Sequence, residues 1–357
     1  MHNLRLYTLI AMLFLLCSGC AMKPAPTNER YFWPPLPDRP RIEWLRSYSS
    51  QLDMDKTDLQ RFKAAILGDD APISLLKPIE VKSDVTHNKF YVSDIGAASV
   101  FVFDVKQREV RFLHPGADSP PIVYPLGLAL DQDDNLYLLE RRFNNIFVFD
   151  QNERMLKTFN IDKIAKKPVG LAINKKKKQL FVTDGAANKV HVLDLNGNLL
   201  FSFGGSGETN GSFNLPVAVA INSKGEILVA DTFNARVQAF DENGVFRRSF
   251  GKRGDGTGDF QLIKSLAVDS DDNIYVIDGR SHKIIIFNTV GELLLVLGDY
   301  YAVSSTGKRA PGGFAVPVSI DIDSNDVIHV VDQLNSRVQV FQYLSDAYLN
   351  KHPLEHH

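Results

Sequence analysis

The sequence predicts an all-β fold, a six-bladed β-propeller closed by an N-terminal strand, with one short helix in the connection to blade one. Three observations carry this. Residues 215–251, LPVAVAINSKGEILVADTFNARVQAFDENGVFRRSFG, hold four β-branched or aromatic-rich runs parted by turns of Asn, Asp, Ser and Gly. The stretch recurs: Asp231 has counterparts in Asp94, Glu140, Asp184, Asp278 and Asp332. Nine residues after each acid stands Phe103, Phe149, Leu193, Phe240, Phe287 or Phe341. Nineteen residues after the first five come Leu113, Phe159, Phe203, Phe250 and Leu297. Six four-stranded units with a period in the forties fit a propeller rather than a solenoid. Third, the sixth unit lacks a fourth strand, and the missing strand stands at the other end of the chain. Trp44, Leu45, Arg46, Ser47 and Tyr48 match Phe246, Arg247, Arg248, Ser249 and Phe250 in type at every position but Leu45. Residues 41–48 are therefore expected to complete blade six and close the ring, removing most open sheet edges.

Taken in order, the chain opens with MHNLRLYTLIAMLFLLCSGC. One Arg precedes an apolar run over residues 6–16, too short for a bilayer core, which needs about 20 residues. It reads as a signal peptide, residues 1–19. Residues 20–40 carry six prolines and read as an extended tether. Tyr31, Phe32 and Trp33 are large for that role and are expected to dock on the domain. Residues 49–77 lead from the closing strand to the first blade. Within them DKTDLQRFKAAILG reads as a helix capped by Asp55 or Thr57 and stopped by Gly68, with Leu59, Phe62 and Ile66 on one face. Such a helix either covers apolar surface of the ring or caps the central channel. Blades fill residues 78–344, and residues 345–357 form a tail.

Two family resemblances sharpen this. PVAVAINSKGEILVADTFNARVQAF, PVSIDIDSNDVIHVVDQLNSRVQVF and the linker FGKRGDGTGDFQLI resemble NHL repeats. The resemblance covers roughly residues 41–344 and implies a six-bladed NHL-type propeller. The end of the leader, Leu16, Cys17, Ser18, Gly19 and Cys20, resembles the lipobox of bacterial lipoproteins, with Cys17 where Leu is usual. That resemblance implies lipidation of Cys20 as the mature N-terminus. Ala21, being no Asp, implies sorting to the outer membrane.

Composition narrows the partners. Cys17 and Cys20 are the only cysteines, so the mature domain has no thiol to pair. Removing residues 1–19 takes Arg5 alone among the charged residues, leaving 39 basic against 42 acidic side chains, a net charge of −3. That argues against nucleic acid, which wants a basic face. The acidic turns 131–135, 269–273 and 323–326 lack the Gly and Glu of a calcium-binding loop and read as turn chemistry. The lysine run 175–178 occupies the same turn in blade three and reads as a solvated hairpin or an anionic contact. Glycine-rich runs near residues 204 and 251 lead into strands rather than the helix a phosphate loop needs. No motif calls for a cofactor or a metal.

The candidate sites follow. Four of the index acids are followed by a cation that could pin the turn: Asp231 with Arg236, Asp332 with Arg337, Asp184 with Lys189 and Asp278 with Lys283. Asp94 and Glu140 lack one and, with Glu80, are candidate ligands at the channel mouth. The two longest blade connections flank blade six, and long connections more often carry function than scaffolding. Leu59, Tyr300, Tyr301 and Arg309 are therefore candidate partner-binding residues. The resulting expectation is a lipid-anchored binding or assembly module on the outer membrane, meeting another envelope protein or a small ligand. A hydrolase or lyase of the lactonase kind, with its site at the channel mouth, is the alternative. Acyl chains on Cys20 would contribute ~0.8 kcal/mol per buried CH₂, and more than one chain holds stably. Cys20→Ser should therefore release a folded domain or leave an unprocessed precursor in fractionated cells; a mature-sized protein retained in washed outer membranes would refute the anchor.

Overall fold

The computed structural model describes residues 30–68, 71–116, 119–301 and 310–354. Cys20, Arg309 and the last three residues lie outside these. The chain divides into residues 1–31, of which only Arg30 and Tyr31 are described, and one compact unit of residues 32–357.

Each predicted unit is an antiparallel four-stranded sheet in simple up-and-down order. Blade one comprises Pro78–Asp84, Lys89–Asp94, Ser99–Asp104 and Glu109–Phe112. Blades two to five follow over residues 125–160, 168–204, 216–250 and 263–297. Blade six has Pro317–Ile322, Val327–Asp332 and Arg337–Tyr343, then Ile42–Tyr48 as its fourth strand. The first strands of neighbouring blades stand side by side in a closed ring and line a central channel.

Ring closure is as expected, residue by residue. Tyr48, Ser47, Arg46 and Trp44 face Val338, Gln339, Val340 and Phe341. In blade four Phe250, Ser249, Arg248 and Phe246 face Val237, Gln238, Ala239 and Phe240. Both ladders break at the same place, a bulge at Leu45 and at Arg247. The one position where the two segments differ in type is thus the unpaired residue, which the ladder does not constrain. One feature differs from the tether reading. Tyr31–Trp33 forms a further strand at the edge of blade six, and Trp33 packs edge-on against Phe341 at 5.9 Å.

Apolar side chains gather in six clusters, one in each seam between adjacent blades. Alternation explains this. A strand inside a blade is covered on both faces by neighbouring blades, so its two rows of side chains enter two different seams. The strand-four index residues lock the seams. Phe203 and Phe250 lie against Gly244 and Gly291 in the outer turns of the next blades, where φ is +79° and +94°. A Cβ at either glycine would stand 2.7 Å and 2.6 Å from the ring, so the turn needs Gly for space as well as for its left-handed backbone.

Two helices are described, α1 (Asp58–Leu67) and α2 (Asp346–Lys351). Thr57 caps α1 in a reciprocal box with Gln60, and Gly68 ends it. No residue of α1 is buried. It neither covers apolar ring surface nor caps the channel. Gln60 instead ties it to the carbonyls of Gln107 and Arg108, in the outer turn of blade one. Tyr48, 4% exposed, packs in a tilted contact on Phe90, ring centroids 5.2 Å apart, in the seam between blades six and one. Tyr48→Ala should therefore cost about 3–5 kcal/mol, read as a lowered denaturation midpoint; an unchanged midpoint would show that the ring closes without this strand.

Candidate functional site

The index acids are structural, and they do more than pin their own turn. Each ends a second strand, fully buried. Asp94 accepts N–H bonds from Leu76 and Lys77, in the connection entering its blade, and from Gly96 and Ala97 in its own turn. Glu140 does the same with Tyr124, Arg142 and Phe143. Asp184 takes Lys166, Lys167, Ala186 and Ala187, and Asp278 takes Gln261, Leu262, Arg280 and Ser281. This corrects two expectations. Asp94 and Glu140 are not channel-mouth ligands, because backbone amides occupy their carboxylates. Nor do Lys189 and Lys283 pair with Asp184 and Asp278 among the described residues. The expected ion pairs form at Arg236–Asp231 and Arg337–Asp332, both 2.8 Å.

Glu80 does face the channel, and the structure adds partners that spacing alone could not reveal. The channel holds a cavity of about 210 Å³, lined by first-strand residues. In blades two to five the two register positions matching Glu80 and Lys82 carry Gly127, Gly170, Ala218 and Ser265, then Ala129, Ala172, Ala220 and Ala267. At the seam of blades six and one the same positions are polar. Ser319 donates to Glu80 Oε1 at 2.6 Å. Lys82 Nζ meets Asp321 Oδ1 at 2.5 Å, and Asp321 also accepts from the Ser83 amide and hydroxyl. Behind them His329 is buried, its Nδ1 without a hydrogen-bond partner among the described residues. Burial pushes its pKa down to about 4, against the pull of Asp321. Burial pushes Glu80 the other way, to about 8, opposed by the Ser319 bond and reinforced by Asp321.

The turns between strands two and three share one face with the connections that enter each blade. Ile95, Arg141, Gly185, Phe233, Gly279 and Leu334 each donate a backbone N–H to the entering connection. The strongly exposed aromatic residues of the described ring, Tyr124, Phe143, Phe233 and Tyr300, all stand on this face. Tyr300, 62% exposed, leans on His282 with ring centroids 4.8 Å apart. Tyr301 is held through its backbone to Phe314 and Asn335. Leu59 is elsewhere: α1 sits at the outer turn of blade one, so the structure does not bring Leu59 together with Tyr300 and Tyr301.

The opposite turns behave as turn chemistry requires. Asp131 and Asp269 each accept two amides of their own hairpin, at 2.9 Å. The lysine run is not simply solvated. Lys175 reaches Asp134 of blade two, and Lys177 pairs with Glu242 of blade four.

Comparison with known proteins agrees on the architecture. A family model described as a 6-bladed beta-propeller matches residues 208–295. A protein of unknown function from Bacteroides thetaiotaomicron superposes with a TM-score of 0.61 at 15% identity, over 83% of this chain and 75% of that one. Virginiamycin B lyase from Staphylococcus aureus, solved with quinupristin, gives 0.54 at 12% identity, over 74% and 94%. A streptogramin B lyase gives 0.52 at 9%, over 75% and 93%. The chain is a six-bladed β-propeller. At such identities the likeness is one of fold, and fold alone supplies no chemistry.

Glu80 titrates where stability can report it. Its folded pKa is raised above the usual 4.5, so the folded state holds its proton more tightly. Stability is lost as pH climbs from 4.5 toward 8, and the loss is complete above that. Glu80→Gln should be more stable than the parent by on the order of 1–2 kcal/mol above pH 8, after allowance for the open channel. The difference should vanish below pH 4.5. Urea midpoints of the two proteins that differ equally at pH 4 and pH 9 would contradict this placement.

Proposed function

We propose that this protein is a lipid-anchored, NHL-type propeller serving as a binding or assembly module at the bacterial outer membrane. Lipidation of Cys20 is the anchor, and another envelope protein is the partner. The observation that carries the binding role is the aromatic loop face. Tyr124, Phe143, Phe233 and Tyr300 are solvent-exposed on one side of a rigid disc, and exposed aromatics of this kind are the residues protein interfaces concentrate. Glu140 holds the backbone of Tyr124 and Phe143, and Asp231 the turn of Phe233, so little ordering entropy is lost there on docking.

The polar cluster in the channel favours a second reading, a hydrolase or lyase. A carboxyl poised near neutrality, beside a serine and a lysine–aspartate pair, is a general acid or base in kind. The cavity limits any substrate to a small group or one end of a larger molecule.

The test is capture of crosslinked partners from the native membrane. Tyr300→Ala combined with Phe233→Ala should cut the recovered partner at least tenfold while leaving the melting temperature within a degree or two, since both rings are exposed. Full recovery with the double variant, set against loss with Glu80→Gln, would move the function from the face to the channel.

A further inference from the structure

At the other end of the barrel, where blades one and two meet, three side chains converge that the readings above leave without a role. Asp84 ends the first strand of blade one, and His87 lies in the turn after it. Asp134 lies in the matching turn of blade two, with a left-handed backbone of φ +56°. One donor atom from each falls within 4.8 Å of the others. His87 Nδ1 stands 2.9 Å and 3.0 Å from the two oxygens of Asp84.

Two observations set this group apart from an ordinary polar turn. The Asp84 carboxylate is almost wholly buried, at 1% exposure. Among the described residues it is met by hydrogen bonds only from the imidazole and the backbone N–H of His87. Lys89, the nearest lysine in the ladder, is engaged with Gln151 and Glu153 instead. Buried charges are paired or hold metal ions, and this one lacks a permanent cation. Independently, the hydroxyl of Tyr91 is fully buried with no hydrogen-bond partner. The ladder pairs Asp84 with Lys89 and Lys82 with Tyr91, so by strand alternation this orphaned donor and the carboxylate are on the same face of the blade.

We propose that Asp84, His87 and Asp134 form a binding site for a transition-series divalent cation of the Zn²⁺ type. The donor set decides the class of ion. Calcium takes six to eight oxygens, whereas an imidazole with carboxylates suits zinc and its neighbours. The 2.9 Å spacing of His87 and Asp84 is that of a hydrogen bond; two ligands on one tetrahedral ion with bonds of about 2.0–2.2 Å stand roughly 3.4 Å apart, so the imidazole need open by only about 0.5 Å to admit the ion. Three protein ligands leave a coordination position open for water. Asp134 reaches the site from a side chain now 3.6 Å from the Lys175 ammonium. Lys175 is half exposed, and the metal would displace it.

The test is calorimetric titration of ZnCl₂ into the full-length protein in detergent, stripped beforehand with chelator. One equivalent binding in the micromolar range is expected. His87→Ala, a turn substitution whose folding circular dichroism can verify, should weaken it at least tenfold. Lys175→Ala should tighten it several-fold by removing the competing cation. Absence of a stoichiometric site overturns the proposal. So does binding untouched by His87→Ala, which would belong to the C-terminal histidines, or an affinity indifferent to Lys175→Ala.

Discussion

A buried carboxylate at the end of each second strand is the contact on which this propeller's loop face depends. Every blade must be entered by a connection whose backbone N–H groups leave the ladder and turn under the neighbouring turn. A buried N–H left unmet costs about 1–3 kcal/mol. One carboxylate with four lone-pair sites can satisfy several at once. Asp94 and Asp278 each do so with four amides and, among the described residues, no cation, and Asp184 with four amides and the His191 imidazole 3.5 Å away. Asp231 and Asp332 use Asn and Arg side chains for part of the same work. Glu140 shows that one more methylene is tolerated when the amides stay in reach.

Ring closure imposes the second constraint. A propeller has no natural edge within the ring, so the blade made from both chain ends must match the others strand for strand. The shared bulge at Leu45 and Arg247 shows how fully it does. Blade six is also the blade whose seams carry unusual chemistry. Its junction with blade one brings Ser319 to Glu80 and Asp321 to Lys82, pairs that join residues about 240 positions apart in sequence. The other first strands carry Gly, Ala and one Ser, Ser265, at these levels. Small side chains fill the narrowing centre of a six-fold ring with few polar atoms to satisfy, and the charged pairs occur at one seam because each member has its complement in the neighbouring blade.

The two faces of the ring differ in chemistry. One face presents exposed aromatics, and on the other, turns of neighbouring blades pair their charges. Lys175 answers Asp134, and Lys177 answers Glu242. A run of like charge can thus be internally neutralised across a ring, though it looks like a patch when read along the chain.

The sequence by itself determined the all-β class, the number of blades, the strand that closes them and the existence of the α1 helix. Each of these is recorded in period, offset or capping pattern, and such signals are local or exactly repeated along the chain. It singled out Glu80 for the same reason, as the one metal-capable side chain at its register among six blades. Tertiary structure alone decided the rest. The use of Asp94 and Glu140 hangs on amides about 16 to 18 residues away, which no side-chain pattern records. The position of α1 rests on one glutamine reaching backbone carbonyls in blade one. His87 and Asp84, three residues apart in one turn, gained Asp134 because adjacent turns of different blades are neighbours in space. In a repeat protein the sequence writes each blade, while the seams, where polar side chains of two blades meet, exist only once the ring has closed.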